Sequence, residues 1–328
     1  MDDIKVSVII PVYKVEKFIE RCAESLLDQT LKGVEYIFVN DATPDNSIAK
    51  LEDVLKKYPE RNETVKILHH KSNRGLPTAR NTGLAQATGE YIFHCDSDDY
   101  VDSKMLETMY STAKNDDLDI AWCDWYLSFD RKERYMKQPE YDTPLEALKG
   151  MMSGAMKFNV WNKLAKRALY TDYQISFPDG NGMGEDMTMM MLFALAQRVK
   201  YIPEAFYHYV KTNVNAFSCT YSDQHLIELS NNVSRIENFI RQRYGESLDK
   251  EISYMKLEAK FPFLLSNDNA TTKLWKRWYP EANGDIKTNH YISSRNRGLQ
   301  LLAARNQFWM IKLYRCILNI YYSIIYKR

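Results

Sequence analysis

Residues 91–99 read YIFHCDSDD, an apolar run that ends in three carboxylates within four residues. A short continuous apolar run is typical of a strand buried on both faces of a sheet, so we expect a strand over Tyr91–Cys95. Carboxylates so close together repel one another, and burial strengthens that repulsion. A hard divalent cation, Mg²⁺ or Mn²⁺, relieves it and binds phosphate oxygens at the same time. The alternative is a solvated acidic turn that caps the next helix. The preceding strand favours the metal.

The ninety residues before this stretch alternate the patterns of strands and helices. Strands are expected at Val6–Val12, Tyr36–Val39 and Val65–Leu68, with helical spacing of apolar residues between them. The last of these helices is expected to begin near Pro77, because proline is favoured in the first helical turn. This βαβαβαβ order predicts a mostly parallel sheet with helices on both faces. Ligands of such sheets bind beyond the carboxyl ends of the strands.

The second part of the chain has a mixed pattern and then becomes helical. Strands are expected at Ile120–Tyr126 and Val199–Ile202, and helices at Asp142–Met152 and Asp186–Gln197. From about Asp223 the apolar residues recur at helical spacing. The sequence therefore predicts an α/β fold followed by a C-terminal helical region.

The composition of the 328 residues excludes several classes of protein. Apolar residues make up 45%, enough to bury a core, and 44 basic residues nearly balance 43 acidic ones. A net charge of +1 disfavours a nucleic-acid-binding surface, so we expect no nucleic-acid partner. The five cysteines form no CxxC pair, which argues against a zinc knuckle or a disulfide framework and favours reduced thiols. The N-terminus lacks a signal-peptide pattern, so we expect a cytoplasmic protein.

Four further features are candidates for chemistry, each with a structural alternative. Asp41 follows the second strand and could bind a nucleobase or ribose, or be a turn acid. The basic loop and helix start at residues 71–83 suit a phosphate, or pair with surface acids. Asp186 could be a general base or a helix cap. His208 could contact metal or phosphate, or be a structural histidine among aromatics.

Three segments together resemble the family 2 inverting glycosyltransferases of the GT-A fold. They are VSVIIPVYKVEKFIERCAESLLDQT at 6–30, EYIFVNDATPDNS at 35–47 and NRGLPTARNTGLAQATGEYIFHCDSDD at 73–99. Gly184-Glu185-Asp186 falls where that family keeps its catalytic acid, and Trp161-Asn162-Lys163-Leu164 is similar to its acceptor-half signature. The clear resemblance covers residues 4–105, and a weaker one extends to about residue 218.

The resemblance implies a role for each matching residue. Asp41 would hydrogen-bond the base, usually uracil, Arg80 would lie by the diphosphate, and Asp96 would face the ribose. Asn40 stands where many members carry an acid, which leaves Asp41 as the sole base-reading carboxylate. The implied donor site comprises Pro11, Val12, Tyr13, Asp41, Asn73, Arg80, Asp96 and Ser97.

The resemblance also implies the metal, the base and the acceptor side. Asp98 would hold Mn²⁺ or Mg²⁺, with His208 as a further candidate ligand. Asp186 would be the general base with Glu185 beside it, while Trp161 and Lys163 would face the acceptor.

These roles define the expected domains and reaction. Residues 1–110 would bind the nucleotide sugar, 111–220 the acceptor, and 221–328 would form the helical region with an amphipathic tail. We expect transfer of a hexosyl or N-acetylhexosaminyl group from a nucleoside diphosphate donor, usually UDP, to a glycan or polyprenyl-linked hydroxyl in bacterial surface-glycan assembly. Two alternatives remain. The Glu185-Asp186 pair argues against an inactive nucleotide-sugar-binding assembly subunit, and the missing glycine-rich triphosphate loop argues against a nucleotidyltransferase.

The C-terminal tail, QFWMIKLYRCILNIYYSIIYKR at 307–328, suits an amphipathic helix. Its polar positions recur at helical spacing on one face, opposite an apolar and aromatic face; they are Lys312, Arg315, Asn319 and Ser323. Residues 270–328 carry eleven basic and two acidic residues, net +9, so the rest of the chain carries −8. The helix is expected to lie on the anionic inner face of the cytoplasmic membrane, or to pack on the core or on a twin subunit in a homo-oligomer.

Overall fold

A computed structural model describes residues 3–211, 222–266 and 269–326, and it begins with the expected parallel sheet. The first elements are β1 (Val6–Val12), α1 (Ile19–Leu27), β2 (Val34–Asn40), α2 (Ser47–Leu55), β3 (Val65–His69), α3 (Leu76–Gln86) and β4 (Tyr91–His94). The strands lie in the order β3-β2-β1-β4, and all three pairings are parallel. Every residue of β1 is buried, as a strand covered by helices on both faces requires. The prediction for this half is confirmed.

The next elements extend this sheet with both antiparallel and parallel strands. They are β5 (Tyr100–Val101), α4 (Met105–Asn115), β6 (Ile120–Ser128), β7 (Glu133–Met136), α5 (Pro144–Met152), β8 (Lys163–Lys166), α6 (Arg167–Thr171), α7 (Thr188–Leu195) and β9 (Val199–Val210). Strand β8 pairs antiparallel with both β4 and β6 and so joins the two halves. Strand β9 runs parallel to β6, with a register shift near Asp124. The sheet is therefore mixed, and the expected parallel order holds for its first half.

The remaining chain is helical, as predicted. It comprises α8 (Asp223–Tyr244), α9 (Asp249–Leu265), α10 (Asn269–Arg277), α11 (Ser294–Ala304) and α12 (Phe308–Tyr326). Helix α8 packs on α7, and α9 packs on α5 and α8, so the helical region extends the core of the sheet. The boundary expected after residue 220 falls at 212–221, outside the described residues, and so does Cys219. The four described cysteines are free thiols.

Helix α12 turns its apolar side outward. Trp309, Leu313, Ile317 and Ile320 are each more than half exposed. Arg315, expected on the polar face, is buried and donates a hydrogen bond to Thr272 Oγ1 at 3.2 Å. The Ser323 side chain lies outside the described set. No helix in the described ranges has both the length and the apolar character needed to span a bilayer.

Candidate active site

A cavity of about 1350 Å³ opens at the carboxyl ends of β1, β2 and β4, where parallel-sheet topology places a ligand. Pockets for single small molecules typically measure about 300–1,000 Å³, so this one has room for two substrates. One end is lined by Pro11, Val12, Tyr13 and Asp41, together with Asn73. The other end is lined by aromatic and methionine side chains of the second half and by residues of α8 and α9.

The three carboxylates of the DSDD turn have different environments. Asp99 is buried and accepts hydrogen bonds from Tyr207 Oη and Val210 N, both at 2.7 Å, which tie the turn to β9. Ser97 Oγ donates to the carbonyl of Pro11 at 2.6 Å and ties the turn to β1. Asp96 and Asp98 line the cavity. Two carboxylates are therefore placed to meet a ligand, and the third holds the turn.

Arg80 joins this turn to the residues before α7. Its side chain is 1% exposed, and Nη2 lies 3.1 Å from Asp96 Oδ1, 3.5 Å from Glu185 Oε1 and 3.6 Å from Asp186 Oδ1. The guanidinium also lies over the ring of Phe177, 5.5 Å from its centroid. Arg80 lines the cavity as expected, but its nearest partners are three carboxylates.

The charges at this point do not balance within the protein. One guanidinium faces Asp96, Glu185 and Asp186, and a further carboxylate, Asp98, follows two residues after Asp96. Burial, together with the neighbouring carboxylates of Asp98 and Asp186, raises the pKa of Asp96 to about 7, although Arg80 opposes the shift. An added cation would relieve this excess of negative charge.

The donor set fits a hard cation that shares its coordination with a substrate. Within residues 3–211, 222–266 and 269–326, no group of three His, Cys, Asp or Glu side chains could hold a metal ion. Mg²⁺ is usually bound through one or two carboxylates, with substrate phosphates and waters completing its shell. Asp96 and Asp98 supply the two carboxylates of such an arrangement.

Glu185 and Asp186 differ in exposure and in hydrogen bonding. Burial and the adjacent Asp186 carboxylate raise the pKa of Glu185 well above its usual range. The Asp186 side chain is 19% exposed, against 9% for Glu185. Within the described part of the chain, Asp186 Oδ1 has no hydrogen-bond donor although it is buried. Asp186 also lines the cavity, and its buried Oδ1 faces Arg80 Nη2 at 3.6 Å.

Helix α8 holds the loop before these acids. Asn232 Nδ2 donates to the carbonyls of Asn181 at 3.0 Å and Met183 at 2.9 Å, and Glu228 Oε2 accepts from Met183 N at 3.0 Å. Gly184 has φ of 87°, a left-handed conformation that suits glycine, just before the short 3₁₀ turn Glu185–Met187. The predicted helix at Asp186–Gln197 thus begins as a 3₁₀ turn. No local sequence pattern indicated the roles of Glu228 and Asn232.

Asp41 fixes the loop at the donor end. Its Oδ1 accepts from Arg74 N and its Oδ2 from Gly75 N, both at 2.8 Å, and His70 Nδ1 lies 2.6 Å from Oδ1. A carboxylate has about four acceptor positions, so one remains for a ligand. His70 was not predicted, although it directly follows β3 at the same edge of the sheet.

Two sequence candidates lie elsewhere. The His208 ring stacks between Tyr100 and Tyr126, and its nitrogens lie 2.7 Å from Glu133 Oε1 and 3.4 Å from Asp102 Oδ1. It is not among the residues that line the cavity, so its position does not suit a shared metal with Asp98. The histidine is held by β5, β6 and β7 at the far strand pairings of the sheet.

Lys163 also has an internal role. Its buried Nζ donates to the carbonyls of Lys157 at 2.8 Å and Asn159 at 2.7 Å and to Asn162 Oδ1 at 2.8 Å. Burial lowers the pKa of Lys163 to about 7. These bonds use all three ammonium protons. Lys163 therefore shapes the loop that carries the acceptor-side residues, where the sequence suggested direct contact.

Trp161 does line the cavity, within an aromatic cluster. Its ring stacks on Tyr207 at 4.4 Å and on Tyr209 at 5.4 Å, and it meets Trp125 edge-on at 5.0 Å. These packed rings give the end of the cavity opposite Asp41 a rigid, largely apolar wall.

Residues 7–188 match the sequence model of the family described as "Glycosyl transferase family 2". The uncharacterized glycosyltransferase EpsJ of Bacillus subtilis (strain 168) is 37% identical over 221 residues, 65% of this chain and 62% of that protein. The cholesterol galactosyltransferase of Borreliella burgdorferi is 30% identical over 307 residues, 86% of this chain and 83% of that protein. The chain covers 62% of EpsJ and 61% of the putative glycosyltransferase EpsH of B. subtilis, less than two thirds of either.

Solved structures show the same fold. S. aureus TarS 1-349 in complex with UDP-GlcNAc has a TM-score of 0.70 at 22% identity, covering 97% of this chain and 92% of that one. The mannosyltransferase PcManGT from Pyrobaculum calidifontis, in complex with GDP-Man and Mn²⁺, has a TM-score of 0.53 at 15% identity, covering 93% and 87%. The expected GT-A fold with a C-terminal helical region is thereby confirmed.

Proposed function

The chain belongs to glycosyltransferase family 2, and we propose that it transfers a sugar from a UDP-sugar to a hydroxyl of a glycan or polyprenyl-linked acceptor, with inversion at the transferred carbon. The observation that carries this proposal is the convergence on Arg80 of Asp96, from the end of β4, and the Glu185-Asp186 pair before α7. Bacterial surface-glycan assembly is the proposed setting, because two similar proteins are named a poly(ribitol-phosphate) β-glucosyltransferase and a minor teichoic acid biosynthesis protein.

The donor is proposed to occupy the end of the cavity at β1 and β2. Pro11, Val12 and Tyr13 would contact the base and ribose, with Asp41 and Asn73 beside them. The complexes of TarS with UDP and UDP-GlcNAc support a uridine nucleotide in this fold. The remaining acceptor position of Asp41 also supports a uridine nucleotide, because it can receive an N–H of the nucleobase.

Asp96 and Asp98 would hold Mn²⁺ or Mg²⁺ together with the diphosphate. A bound divalent cation neutralises the charge that develops on a departing nucleoside diphosphate. Arg80, which lies 3.1 Å from Asp96, supplies a fixed positive charge beside the same turn. The leaving group then departs as an anion, so no residue is needed to protonate it. Glycosidases differ, because their alcohol leaving group requires an acid.

Asp186 is proposed as the general base. Its partly exposed carboxylate would accept the proton of the acceptor hydroxyl as that oxygen bonds to C1 of the donor sugar, on the face opposite the breaking C1–phosphate bond. Arg80 Nη2 lies 3.6 Å from Asp186 Oδ1, and burial raises the pKa of the neighbouring Glu185 carboxyl well above its usual range. A single displacement of this kind inverts the anomeric centre.

The test is nucleoside diphosphate release from a panel of nucleotide sugars with Mn²⁺ and glycoside acceptors. Asp98→Asn and Asp186→Asn should each lose at least about a hundredfold in kcat while keeping the wild-type circular dichroism spectrum. Asp172→Asn, an exposed residue outside the cavity, is the matched control. Wild-type turnover in Asp186→Asn would exclude it as the base. Donor binding without transfer would favour an assembly subunit, and diphosphate release from nucleoside triphosphates a nucleotidyltransferase.

We also propose that α12 makes peripheral contact with an anionic membrane surface. Its outward apolar side lies beside the exposed Lys312, in a segment of net charge +9. Apolar residues with neighbouring cations are the features that bind a helix in the plane of an anionic leaflet. A second copy of the chain covering the same side is the competing outcome of the test described below.

A further inference from the structure

The cavity extends beyond the residues that match the family. The match ends at residue 188, but Met255, Glu258, Ala259 and Pro262 of α9 also line the cavity. These positions lie on one side of α9, at spacings of three and four residues. Helix α9 therefore supplies part of the cavity wall from outside the residues that match the family model.

Glu258 is the charged group in that wall, and its hydrogen-bonding capacity is largely unused. Among the described residues, its carboxylate has one hydrogen bond, from Gln300 Nε2 at 3.5 Å. Glu258 is partly exposed, whereas the buried carboxylates are better satisfied: Asp99 accepts two hydrogen bonds and Asp124 accepts three. A partly exposed carboxylate that lines a cavity and has open acceptor positions is placed to receive a ligand.

The surrounding backbone makes room for this carboxylate. Gly154 follows α5 with φ of 85°, and a Cβ at that position would overlap the Glu258 carboxyl group. A glycine at this position therefore lets the Glu258 carboxyl group pack closely against the end of α5. Pro262, one turn further along α9, lacks the N–H that would otherwise bond to the backbone carbonyl of Glu258.

The neighbouring lining suits one face of a sugar ring. Phe158 and Trp161 lie in the loop after Gly154, and Trp125 and Tyr209 continue the aromatic wall. A sugar has apolar C–H faces, which pack on aromatic rings, and a rim of hydroxyl donors. Aromatic rings beside the Glu258 carboxylate match a neutral, hydroxyl-rich ring, and Lys157, which lines the same cavity and lies close enough to lower the pKa of Glu258, offsets part of the negative charge.

We propose that Glu258 is a specificity-determining residue that accepts hydrogen bonds from the hydroxyls of a neutral sugar acceptor. This inference rests on the proposed transferase function. Burial raises the pKa of Glu258 to about 6, so the group is still largely ionised at neutral pH. Hydrogen bonds to a charged acceptor are the strong ones, and losing one typically weakens binding by about ten- to a hundredfold.

The experiment compares octyl β-glucoside, octyl β-galactoside and octyl N-acetyl-β-glucosaminide with ribitol 5-phosphate, using UDP-sugars and Mn²⁺. Glu258→Gln should raise KM for the neutral acceptor about ten- to a hundredfold. The KM for the donor and the slow hydrolysis of the donor without acceptor should stay at wild-type values. Glu258→Asp should be affected similarly because its carboxylate is withdrawn. Glu251→Gln is the matched control, since Glu251 is on the same helix, pairs with Lys149 and does not line the cavity.

Binding of the acceptor can be measured without turnover, which gives the proposal a second, independent test. Quenching of tryptophan fluorescence by the octyl glycosides, with UDP and Mn²⁺ present, should weaken in Glu258→Gln by the same factor. An unchanged acceptor affinity in Glu258→Gln, a wild-type preference for ribitol 5-phosphate, or no binding of any neutral probe would overturn the proposal. Absence of transfer with intact, Glu258-dependent glycoside binding would instead count against the proposed catalytic function.

Discussion

Replacing Arg80 by methionine should destabilise the protein, because three neighbouring acidic side chains lose their shared cation. Arg80 Nη2 lies 3.1–3.6 Å from three carboxylates, and the side chain is 1% exposed. At an effective dielectric constant of about 20, each such pair gains roughly 4–5 kcal/mol of Coulomb energy, which desolvation of the ions largely offsets. Removing one partner leaves the others buried and uncompensated, which costs about 3–5 kcal/mol.

A double-mutant cycle separates this charge effect from lost packing. Glu185→Gln removes one of the orphaned carboxylates, so the double variant should be more stable than the sum of the single effects predicts, by about 1–3 kcal/mol. Arg235→Met serves as the matched control, because Arg235 bonds to Thr188 Oγ1 and to the Ser176 carbonyl and to no acid. Its effect should add to that of Glu185→Gln within about 0.5 kcal/mol.

The assay is urea denaturation at pH 7.5 without divalent metal, followed by tryptophan fluorescence and far-ultraviolet circular dichroism. The reasoning would be refuted by an Arg80→Met variant within about 0.5 kcal/mol of the wild type. It would also be refuted if Arg80→Met and Glu185→Gln were additive, since the buried charges would then not be coupled.

Three further outcomes are expected. Lys163→Met should lower the free energy of unfolding measured by urea denaturation, and the difference from the wild type should grow above pH 7 by up to about 1.4 kcal/mol per pH unit. The reason is that the buried lysine of the wild type releases its proton near pH 7, whereas the lysine of the unfolded chain releases it at about pH 10.4. A difference that stays constant with pH would contradict the lowered pKa. Leu313→Asp combined with Ile317→Asp should release the protein from sedimenting anionic vesicles, whereas Tyr173→Asp, at an exposed residue outside α12, should not. Unchanged sedimentation would contradict the membrane contact, and loss of a dimer in size-exclusion chromatography would assign the surface to a second copy of the chain. EDTA should lower the rate of sugar transfer about a hundredfold or more, and added Mn²⁺ should restore it. The Asp98→Asn variant should need a higher Mn²⁺ concentration than the wild type. Full activity in EDTA would contradict a metal site.

The first half of the fold could be predicted because its signals are local. Strands β1 to β4 are largely apolar runs, separated by segments whose apolar residues recur at helical spacing. The structure places the ends of each strand within two residues of the expected limits. Strand β8 was missed because Lys163–Lys166 has no strand pattern of its own. It is a strand because its backbone fills the space between β4 and β6. Strand β9 was predicted too short for the same reason, since pairing with β6 extends it to Val210.

Some residues of the candidate site could also be predicted from the sequence, and others could not. The DSDD turn could be predicted as a site from its local pattern, whereas Gly184-Glu185-Asp186 could be joined to it only through the resemblance to the family. The hydrogen bonds from Asn232 to the loop before Glu185 and the place of Glu258 depend on contacts between segments far apart in sequence. His208 and Lys163 show the converse, since a residue type does not reveal which neighbours its side chain will meet.

The anomeric configuration of the product tests the central account most directly. With an α-linked UDP-sugar, Mn²⁺ and an octyl glycoside acceptor, proton NMR of the purified product should show a newly formed β-linkage, because one displacement assisted by Asp186 inverts the reacting carbon. A product that keeps the α-configuration would contradict the single displacement and the assignment of Asp186 as its base.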